Sequence, residues 1–195
     1  MQSPLLVLAV HWLFQGMFYM DRTERNFKLL LDVILAVPCF LLFRRRFLPG
    51  VALPAALLTV HTANFLANGH LWGAMKHFGA VQTSLDDFNA EVQRLQERVN
   101  RQRYISFAGV YGSLARDEWS PSSDLDVRIV RAPGVASALS ACWFALCERA
   151  RALVVRFPLD IYVFDGVDRL AGMAEHGSAL VLKGVGGSAI GQVER

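Results

Sequence analysis

Hydrophobic residues are unevenly distributed along the chain, and their distribution divides it near residue 76. Before that point lie three apolar stretches, Pro4 to Met20, Phe27 to Phe43, and Phe47 to about Met75. The first two have about 17 residues each, the lower limit for a helix that crosses a bilayer. Because so few charges interrupt them, we predict an all-helical, membrane-associated region over residues 1–76. The alternative is a bundle of buried helices in a soluble protein.

The few charges in this region predict its orientation. Asp21 to Arg25 separates the first two stretches, and the triplet Arg44 to Arg46 ends the second. Positively charged segments favour the cytoplasmic side of a membrane. If the first two stretches form a spanning hairpin and the third does not cross, the triplet and the rest of the chain share the cytoplasm. We therefore expect a protein of the cell membrane with its C-terminal part on the cytoplasmic side.

Polar residues and prolines distinguish the third stretch from the other two. This mixture is typical of a re-entrant or interfacial helix rather than a lipid-facing span. Asp32, within the second stretch, is costly in lipid and is expected to face protein or solvent. The residues that interrupt the third stretch are Pro49, Pro54, His61, Asn64, Asn68 and His70.

A charged helix over residues 84–103 connects this region to the C-terminal part of the chain. Phe88, Val92, Leu95 and Val99 recur at spacings of three or four and form one apolar face. We expect this face to pack on the next domain. A coiled-coil homodimer is the alternative, although fewer than three heptads support it.

From Tyr104 onward, short apolar segments alternate with a helical pattern, which is typical of α/β-type domains. The glycine-rich residues 184–195 are predicted to be a flexible tail. The pattern predicts strands at Tyr104–Tyr111, Leu125–Val130, Leu159–Phe164 and Ala179–Leu182, and helices at Val135–Val154 and Leu170–His176, the last ended by Gly177.

Composition narrows the possible partners. The net charge of +3 over 195 residues is too small to favour a nucleic-acid partner. The three cysteines and five histidines show no metal-ligand spacing, so we predict reduced thiols and no zinc site.

The chemically informative residues lie between the first two predicted strands of the C-terminal part. Asp124 and Asp126 alternate along a strand and therefore point to one face. Such a pair is unfavourable unless a cation lies between the carboxylates, and oxygen ligands suit Mg²⁺ or Mn²⁺. Gly112 and Ser113, in the turn after the preceding strand, offer backbone donors to a phosphate. A metal beside a phosphate indicates nucleotidyl transfer.

A third carboxylate, Asp160, begins the next predicted strand with the same apolar flanks. If that strand is adjacent, three carboxylates come together and can hold two divalent ions. Asp160 is also a candidate general base, and Asp165 is the competing position. We further predict a helix that starts near Leu114 and directs its N-terminus at the phosphate, with Arg116 in its first turn.

Arg128 shares a strand face with Asp124 and Asp126 by alternation. We expect it to be an ion-pair partner of these carboxylates or a phosphate contact.

These motifs resemble the nucleotidyltransferase superfamily of DNA polymerase beta, in its minimal form. The family has Gly-Ser after a strand, Ala-Arg shortly after it, Ser-Asp-x-Asp on the next strand and a third Asp on a later one. The resemblance implies an α+β domain over residues 104–183, with a small mixed sheet and flanking helices. The matching residues are Gly112-Ser113, Ala115-Arg116, Ser123-Asp124-Leu125-Asp126 and Asp160.

The resemblance assigns Asp124, Asp126 and Asp160 to catalysis and metal binding, and Gly112, Ser113 and Arg116 to the nucleotide. It implies transfer of a nucleoside monophosphate from a nucleoside triphosphate, ATP by resemblance, with two Mg²⁺ or Mn²⁺ ions. Asp117 departs from the family, which often has glycine there, and no larger acceptor-binding domain follows.

Together these expectations predict a membrane-tethered nucleotidyltransferase with a hydroxyl acceptor on a partner protein, a lipid-linked glycan or a lipid. Two alternatives stay open. One is an antitoxin-like minimal nucleotidyltransferase that modifies a partner protein. The other is a non-catalytic, membrane-anchored nucleotide-binding subunit.

Overall fold

The computed structural model describes residues 4–68, 70–75, 82–170 and 179–184. The predicted helix at Leu170–His176 and the predicted tail lie largely outside these ranges. The elements are α1 Pro4–Phe14, α2 Arg22–Phe43, α3 Pro49–Ala67, α4 His70–Met75, α5 Leu85–Asn100, β1 Ile105–Tyr111, β2 Leu125–Arg131, α6 Val135–Val155, β3 Leu159–Phe164 and β4 Leu180–Lys183.

The strands form one small mixed sheet in the order β3-β2-β1-β4. Strand β1 is antiparallel to both β2 and β4, whereas β2 and β3 are parallel and joined by α6. This is the α+β arrangement that the sequence predicts, and each predicted strand lies within a residue of its observed bounds.

Helix α5 packs its apolar face on one side of this sheet, as predicted. Phe88, Val92, Leu95 and Val99 are all buried in the same core as the inward-facing residues of β1 and β2. The helix begins at Ser84, whose hydroxyl accepts a hydrogen bond from the Asp87 amide at 3.1 Å. Because the apolar face is buried within the chain, it is not available for a coiled-coil dimer.

Helices α2 and α3 pack side by side as a hairpin. By length and composition, both could cross a membrane. The first apolar stretch, expected to form a span, supplies among the described residues only the 11-residue helix α1, which is about 16 Å long and is not one of these two candidates. Gln15 and Gly16 end it with φ angles of 45° and 69°. The third stretch, predicted to be interfacial, instead supplies the 19-residue helix of the hairpin.

The outward faces of the hairpin are apolar and exposed. Such a surface is unusual in a soluble monomer and typical of contact with lipid or protein. Its exposed side chains are Leu29, Leu30, Val33, Ile34, Leu35, Val37, Leu41 and Leu42 on α2, and Val51, Leu53, Leu57, Leu58 and Leu66 on α3.

The polar residues inside the hairpin bind one another rather than lipid. Asn64 donates a hydrogen bond from Nδ2 to Asp32, so Asp32 faces protein, as expected. Asn68 donates a hydrogen bond to the Asn64 carbonyl at 2.8 Å. These contacts explain why an otherwise apolar stretch contains asparagines.

Arg149 of α6 fixes the base of the hairpin to the sheet. Its buried guanidinium forms an ion pair with Glu24 of α2 and donates to Asn68 at 3.0 Å and to the Ile161 carbonyl. Glu24 also accepts a hydrogen bond from the Val163 amide at 2.8 Å. The start of α2 and the residue that follows α3 are therefore both bonded to Arg149, which also binds β3.

This attachment places the arginine triplet far from the sheet. Helix α2 has 22 residues and is therefore about 33 Å long. Glu24 lies at the sheet end, and Arg44 to Arg46 follow the opposite end. If α2 crosses a bilayer, the triplet and the sheet lie on opposite sides, contrary to the arrangement predicted from the charges.

Candidate active site

Two of the predicted carboxylates lie side by side at the start of neighbouring strands. Asp126 of β2 and Asp160 of β3 are register partners in the parallel pair, so they share a face about 4.8 Å apart along the sheet. The Leu125 amide donates to the Pro158 carbonyl at 2.8 Å and aligns the two strand starts. The expectation that β3 lies beside β2 is confirmed.

Arg128 holds these carboxylates together. Its Nη2 atom lies 3.5 Å from Asp126 Oδ1 and 3.6 Å from Asp160 Oδ2. Its Nη1 atom donates to the Asp160 carbonyl at 3.2 Å, and the guanidinium carbon lies 4.9 Å from the centre of the Tyr162 ring. The ion-pair interpretation of Arg128 is therefore confirmed: its guanidinium offsets the repulsion between two adjacent carboxylates.

Gly112 brings the turn after β1 against the Asp126 carboxylate. Its φ is +77°, and a Cβ atom there would lie 3.1 Å from the Asp126 carboxyl carbon and still closer to Oδ2. The preceding residue, Tyr111, is the register partner of Asp126. Only glycine combines this backbone conformation with this close approach.

If this turn binds a nucleotide phosphate, we expect Gly112→Ala to weaken binding of Mg²⁺-ATP by about tenfold or more, because the added methyl group must displace the turn or the Asp126 carboxylate from its position. Isothermal titration calorimetry of the full chain in detergent measures this affinity. Gly134→Ala is the matched control, because Gly134 has a φ of +98° but no atom within 4 Å of the added Cβ. Equal losses of affinity in the two variants would show that the Gly112 turn does not contact the nucleotide.

The segment after Ser113 forms consecutive turns instead of the helix predicted near Leu114. The Arg116 amide donates to the Gly112 carbonyl at 3.2 Å, and the Glu118 amide donates to the Ser113 carbonyl at 2.8 Å. Asp117 then takes a φ of +61°, which stops helical propagation and is the conformation that a glycine there would favour. Helix-dipole stabilisation of a phosphate is therefore not available in this turn.

Arg116 forms an ion pair with Glu118 at the surface. Its Nε atom donates to Glu118 Oε2 at 2.8 Å, and both side chains are largely exposed. A phosphate contact by Arg116 requires this surface ion pair to open, which costs at most about 1 kcal/mol. Its nucleotide-binding role stays a prediction.

The Ser113 hydroxyl oxygen is buried and, among the residues that the structure describes, has no hydrogen-bond partner. A buried hydroxyl without a partner is unfavourable by about 1–3 kcal/mol. A phosphate oxygen at the Gly112-Ser113 turn would satisfy it. The turn and the neighbouring carboxylates, which are oxygen-only ligands, thus fit a phosphate and a Mg²⁺ ion.

Asp124 lies just before β2 and is half-buried. It follows a turn in which the Ser123 hydroxyl accepts from the Ser120 amide at 3.0 Å. Across residues 4–68, 70–75, 82–170 and 179–184, no three His, Cys, Asp or Glu side chains are grouped closely enough to hold a metal ion. Metal binding by the three carboxylates therefore stays a prediction.

Asp165, the competing third carboxylate, has a structural role. It accepts hydrogen bonds from Thr23 at the start of α2 and from Arg131 Nε at 2.7 Å. Burial acts to raise the pKa of this carboxyl, but the hydrogen bonds from Thr23 and Arg131 outweigh it and lower the pKa. Asp165 therefore ties the end of β3 to the hairpin, and Asp160 is the carboxylate that faces Asp126.

Sequence reasoning did not single out two features of the site. One is Tyr162, which shares a strand face with Asp160 and whose pKa burial raises, so the phenol stays protonated. The other is the α1–α2 connector, residues 15–21. Its Met17 and Met20 pack with Tyr162 on this face of the sheet. Alternation along β3 indicates the position of Tyr162, but no local signal places the connector there.

The cysteines are free thiols, as predicted. Burial raises the pKa of Cys142 to about 12, so its thiol is protonated and unreactive at neutral pH.

Comparison of the chain with protein-family models and with curated protein sequences finds no match.

Proposed function

We propose that the protein is a membrane-tethered nucleotidyltransferase that moves a nucleoside monophosphate from a nucleoside triphosphate to a hydroxyl acceptor. The proposal rests on the arrangement of residues at one corner of the sheet. There a glycine turn with an unsatisfied serine hydroxyl lies against the Asp126 carboxylate, with Asp160 beside it. Nucleotidyl transfer requires hydrogen-bond donors that bind phosphate and adjacent carboxylates that bind metal ions.

Each residue has a distinct task in this proposal. Gly112 and Ser113 bind the triphosphate, and Asp124, Asp126 and Asp160 would hold two Mg²⁺ ions. Bound Mg²⁺ would neutralise the triphosphate and make the acceptor hydroxyl more acidic. Asp160 accepts the proton of that hydroxyl. Arg128 keeps Asp126 and Asp160 in register through its contacts at 3.5 and 3.6 Å.

The direct test is transfer of label from α-³²P-ATP. We expect the full-length chain, with Mg²⁺ and membranes, to form a labelled product and to release pyrophosphate, and EDTA to prevent both. Label on a single partner protein would favour the antitoxin-like alternative. Absence of both label and calorimetric ATP binding would contradict the proposal and leave a structural membrane subunit.

We further propose that α2 and α3 anchor the chain in the cell membrane with the sheet in the cytoplasm, where nucleoside triphosphates are available. If the hairpin crosses the membrane in this orientation, Arg45 lies outside the cell, because it follows the end of α2 opposite to the sheet.

This topology predicts opposite labelling of two sites. In a background without Cys39, Cys142 and Cys147, Arg45→Cys is expected to react with an impermeant maleimide in intact cells. Glu97→Cys, whose parent side chain on α5 is 70% exposed, is expected to react only after permeabilisation. Labelling of both sites only after permeabilisation would show that the hairpin does not cross the bilayer.

A further inference from the structure

The α1–α2 connector packs against Tyr162, which shares a strand face with Asp160. Met20 is buried with Tyr162 and Phe164 of β3. Between these anchors and α1, Phe18 and Tyr19 project outward and are 76% and 71% exposed. The Tyr19 ring lies 6.3 Å from the ring of Tyr162, two residues beyond Asp160 on the same strand face. One ring of this exposed aromatic pair, Tyr19, therefore lies against a neighbour of Asp160 on β3.

Hydrogen bonds fix the connector beside the base of the hairpin. Gln15 donates from Nε2 to the His61 carbonyl of α3 at 2.7 Å and accepts on its own carbonyl from Lys28 Nζ of α2 at 3.2 Å. Beyond Asp32, α2 has no charged residue up to Phe43. Through its contact with Lys28, the last basic residue of α2, the connector lies at the sheet end of this candidate span, where a spanning helix enters the head-group region.

Helix α1 continues this surface with an apolar face. Trp12 on its inner side packs against His61, with ring centres 4.7 Å apart. The outer side carries Leu5, Leu6, Val10, Leu13 and Phe14, all exposed. A short apolar helix that leads into exposed aromatic residues is typical of a segment at the bilayer surface.

We infer that the acceptor is a hydroxyl on the head group of a membrane lipid, which reaches Asp160 along the connector. This inference rests on the proposed function and names its substrate class. The argument is adjacency: exposed apolar side chains occur on the candidate spans, on α1 and at Phe18 and Tyr19, and the Tyr19 ring lies against Tyr162, two residues beyond Asp160. A lipid whose chains stay in the bilayer can therefore present its head group to the site without leaving the membrane.

The reaction is an in-line substitution at the α-phosphorus of the nucleotide. The head-group oxygen forms a bond to this phosphorus while the bond to the bridging α–β oxygen breaks, and pyrophosphate leaves with the electron pair. The hydroxyl proton passes to the Asp160 carboxylate. The products are a lipid with a nucleoside monophosphate on its head group and pyrophosphate, without an external oxidant or reductant.

The first test uses the full-length chain in vesicles made from the lipid extract of the source cells' membranes, with α-³²P-ATP and Mg²⁺. We expect label in the chloroform phase that migrates as a lipid on thin-layer plates. Label found only on protein, or only when whole membranes replace the lipid extract, would overturn the inference while leaving nucleotidyl transfer intact. Absence of any pyrophosphate release would instead refute the proposed function itself.

Variants of the connector separate acceptor binding from nucleotide binding. We expect Phe18→Ser/Tyr19→Ser to lower lipid labelling by about tenfold or more, with calorimetric affinity for Mg²⁺-ATP within about twofold of the parent. Val154→Ser, which changes an apolar side chain of 81% exposure on α6, is the matched control and should leave both unchanged. A parallel loss of ATP affinity in the connector variant would mean that these rings bind the nucleotide, contrary to the inference.

A readout independent of activity tests the position of the connector. A polarity-sensitive fluorophore attached through Phe18→Cys, in the background without native cysteines, should shift its emission to the blue when vesicles are present. The same label attached through Glu97→Cys should not shift. An unchanged spectrum at position 18 would show that the connector does not contact the bilayer.

Discussion

Replacing Asp126 with asparagine is expected to reduce nucleotidyl transfer by about 10³-fold. The asparagine keeps the shape of the side chain but removes one of two adjacent negative charges at the strand starts. Arg128, which now lies 3.5 Å from Asp126 and 3.6 Å from Asp160, would then neutralise the remaining carboxylate. A site that must hold divalent ions would thereby lose half of the net negative charge of Asp124, Asp126, Asp160 and Arg128. Initial rates of label transfer from α-³²P-ATP measure the loss.

The control for this variant is Asp168→Asn, which changes an exposed aspartate a few residues beyond β3. It should retain full activity. Thermal unfolding of the Asp126→Asn chain should be nearly unchanged, because the parent carboxylate is partly exposed and its ion pair with Arg128 is long. Activity within tenfold of the parent would show that Asp126 is not part of the reaction centre.

The second large effect is expected from Arg149→Met. This change leaves Glu24 buried without its cation, and breaking a buried ion pair in this way destabilises a protein by about 3–5 kcal/mol. It also removes the donors to Asn68 and to the Ile161 carbonyl. For a chain of this length the unfolding temperature should fall by roughly 10 °C. Circular dichroism of the full chain in detergent follows the transition.

Two further variants show whether the buried charge is the cause. Arg149→Met/Glu24→Met removes both charges and should recover part of the lost stability, since no charge is left buried alone. The recovery should be incomplete because the Val163 amide, Asn68 and the Ile161 carbonyl lose their partners. Arg151→Met is the comparison. Glu91 and Glu148 are buried, but the Arg151 side chain is partly exposed and Arg98 contacts the same two carboxylates. Both carboxylates therefore keep a cation, and the loss of Arg151 should destabilise the protein clearly less than the loss of Arg149. If the Arg149 and Arg151 changes lowered the unfolding temperature equally, the buried Arg149–Glu24 ion pair would have no special role in stability.

Local patterns were sufficient for most of the sheet domain. Alternation and turn residues predict the strands closely, and the apolar spacing of Phe88, Val92, Leu95 and Val99 predicts the buried face of α5. The same patterns failed at Leu114, where the chain forms turns. Asp117 takes a positive φ there, and Trp119 packs against Phe88 with ring centres 6.2 Å apart, which directs the chain back to the core. Tertiary packing of that kind leaves no periodic signal in a short segment.

The apolar region shows the limit of charge and hydropathy rules. Hydropathy identifies stretches long enough to cross a membrane, but it does not say which helices pair or where their polar residues point. Asn64 and Asn68 were among the residues that predicted an interfacial helix and not a span. In the structure Asn64 binds Asp32 and Asn68 binds Arg149. Residues more than 30 positions apart satisfy one another, which no window of local sequence can reveal.

Residue types and their spacing are the basis for the chemistry predicted for this protein: three aspartates on predicted strands, a Gly-Ser turn and an apolar region ahead of them. These features can be recognised without coordinates because they are local properties of the chain. The folded arrangement was needed to show that Asp126 and Asp160 share Arg128, that Arg149 ties the hairpin to β3, and that the Tyr19 ring lies against Tyr162. Strand order and helix docking depend on burial summed over the whole chain. They bring together residues that lie far apart in the sequence, so no local pattern indicates the contact.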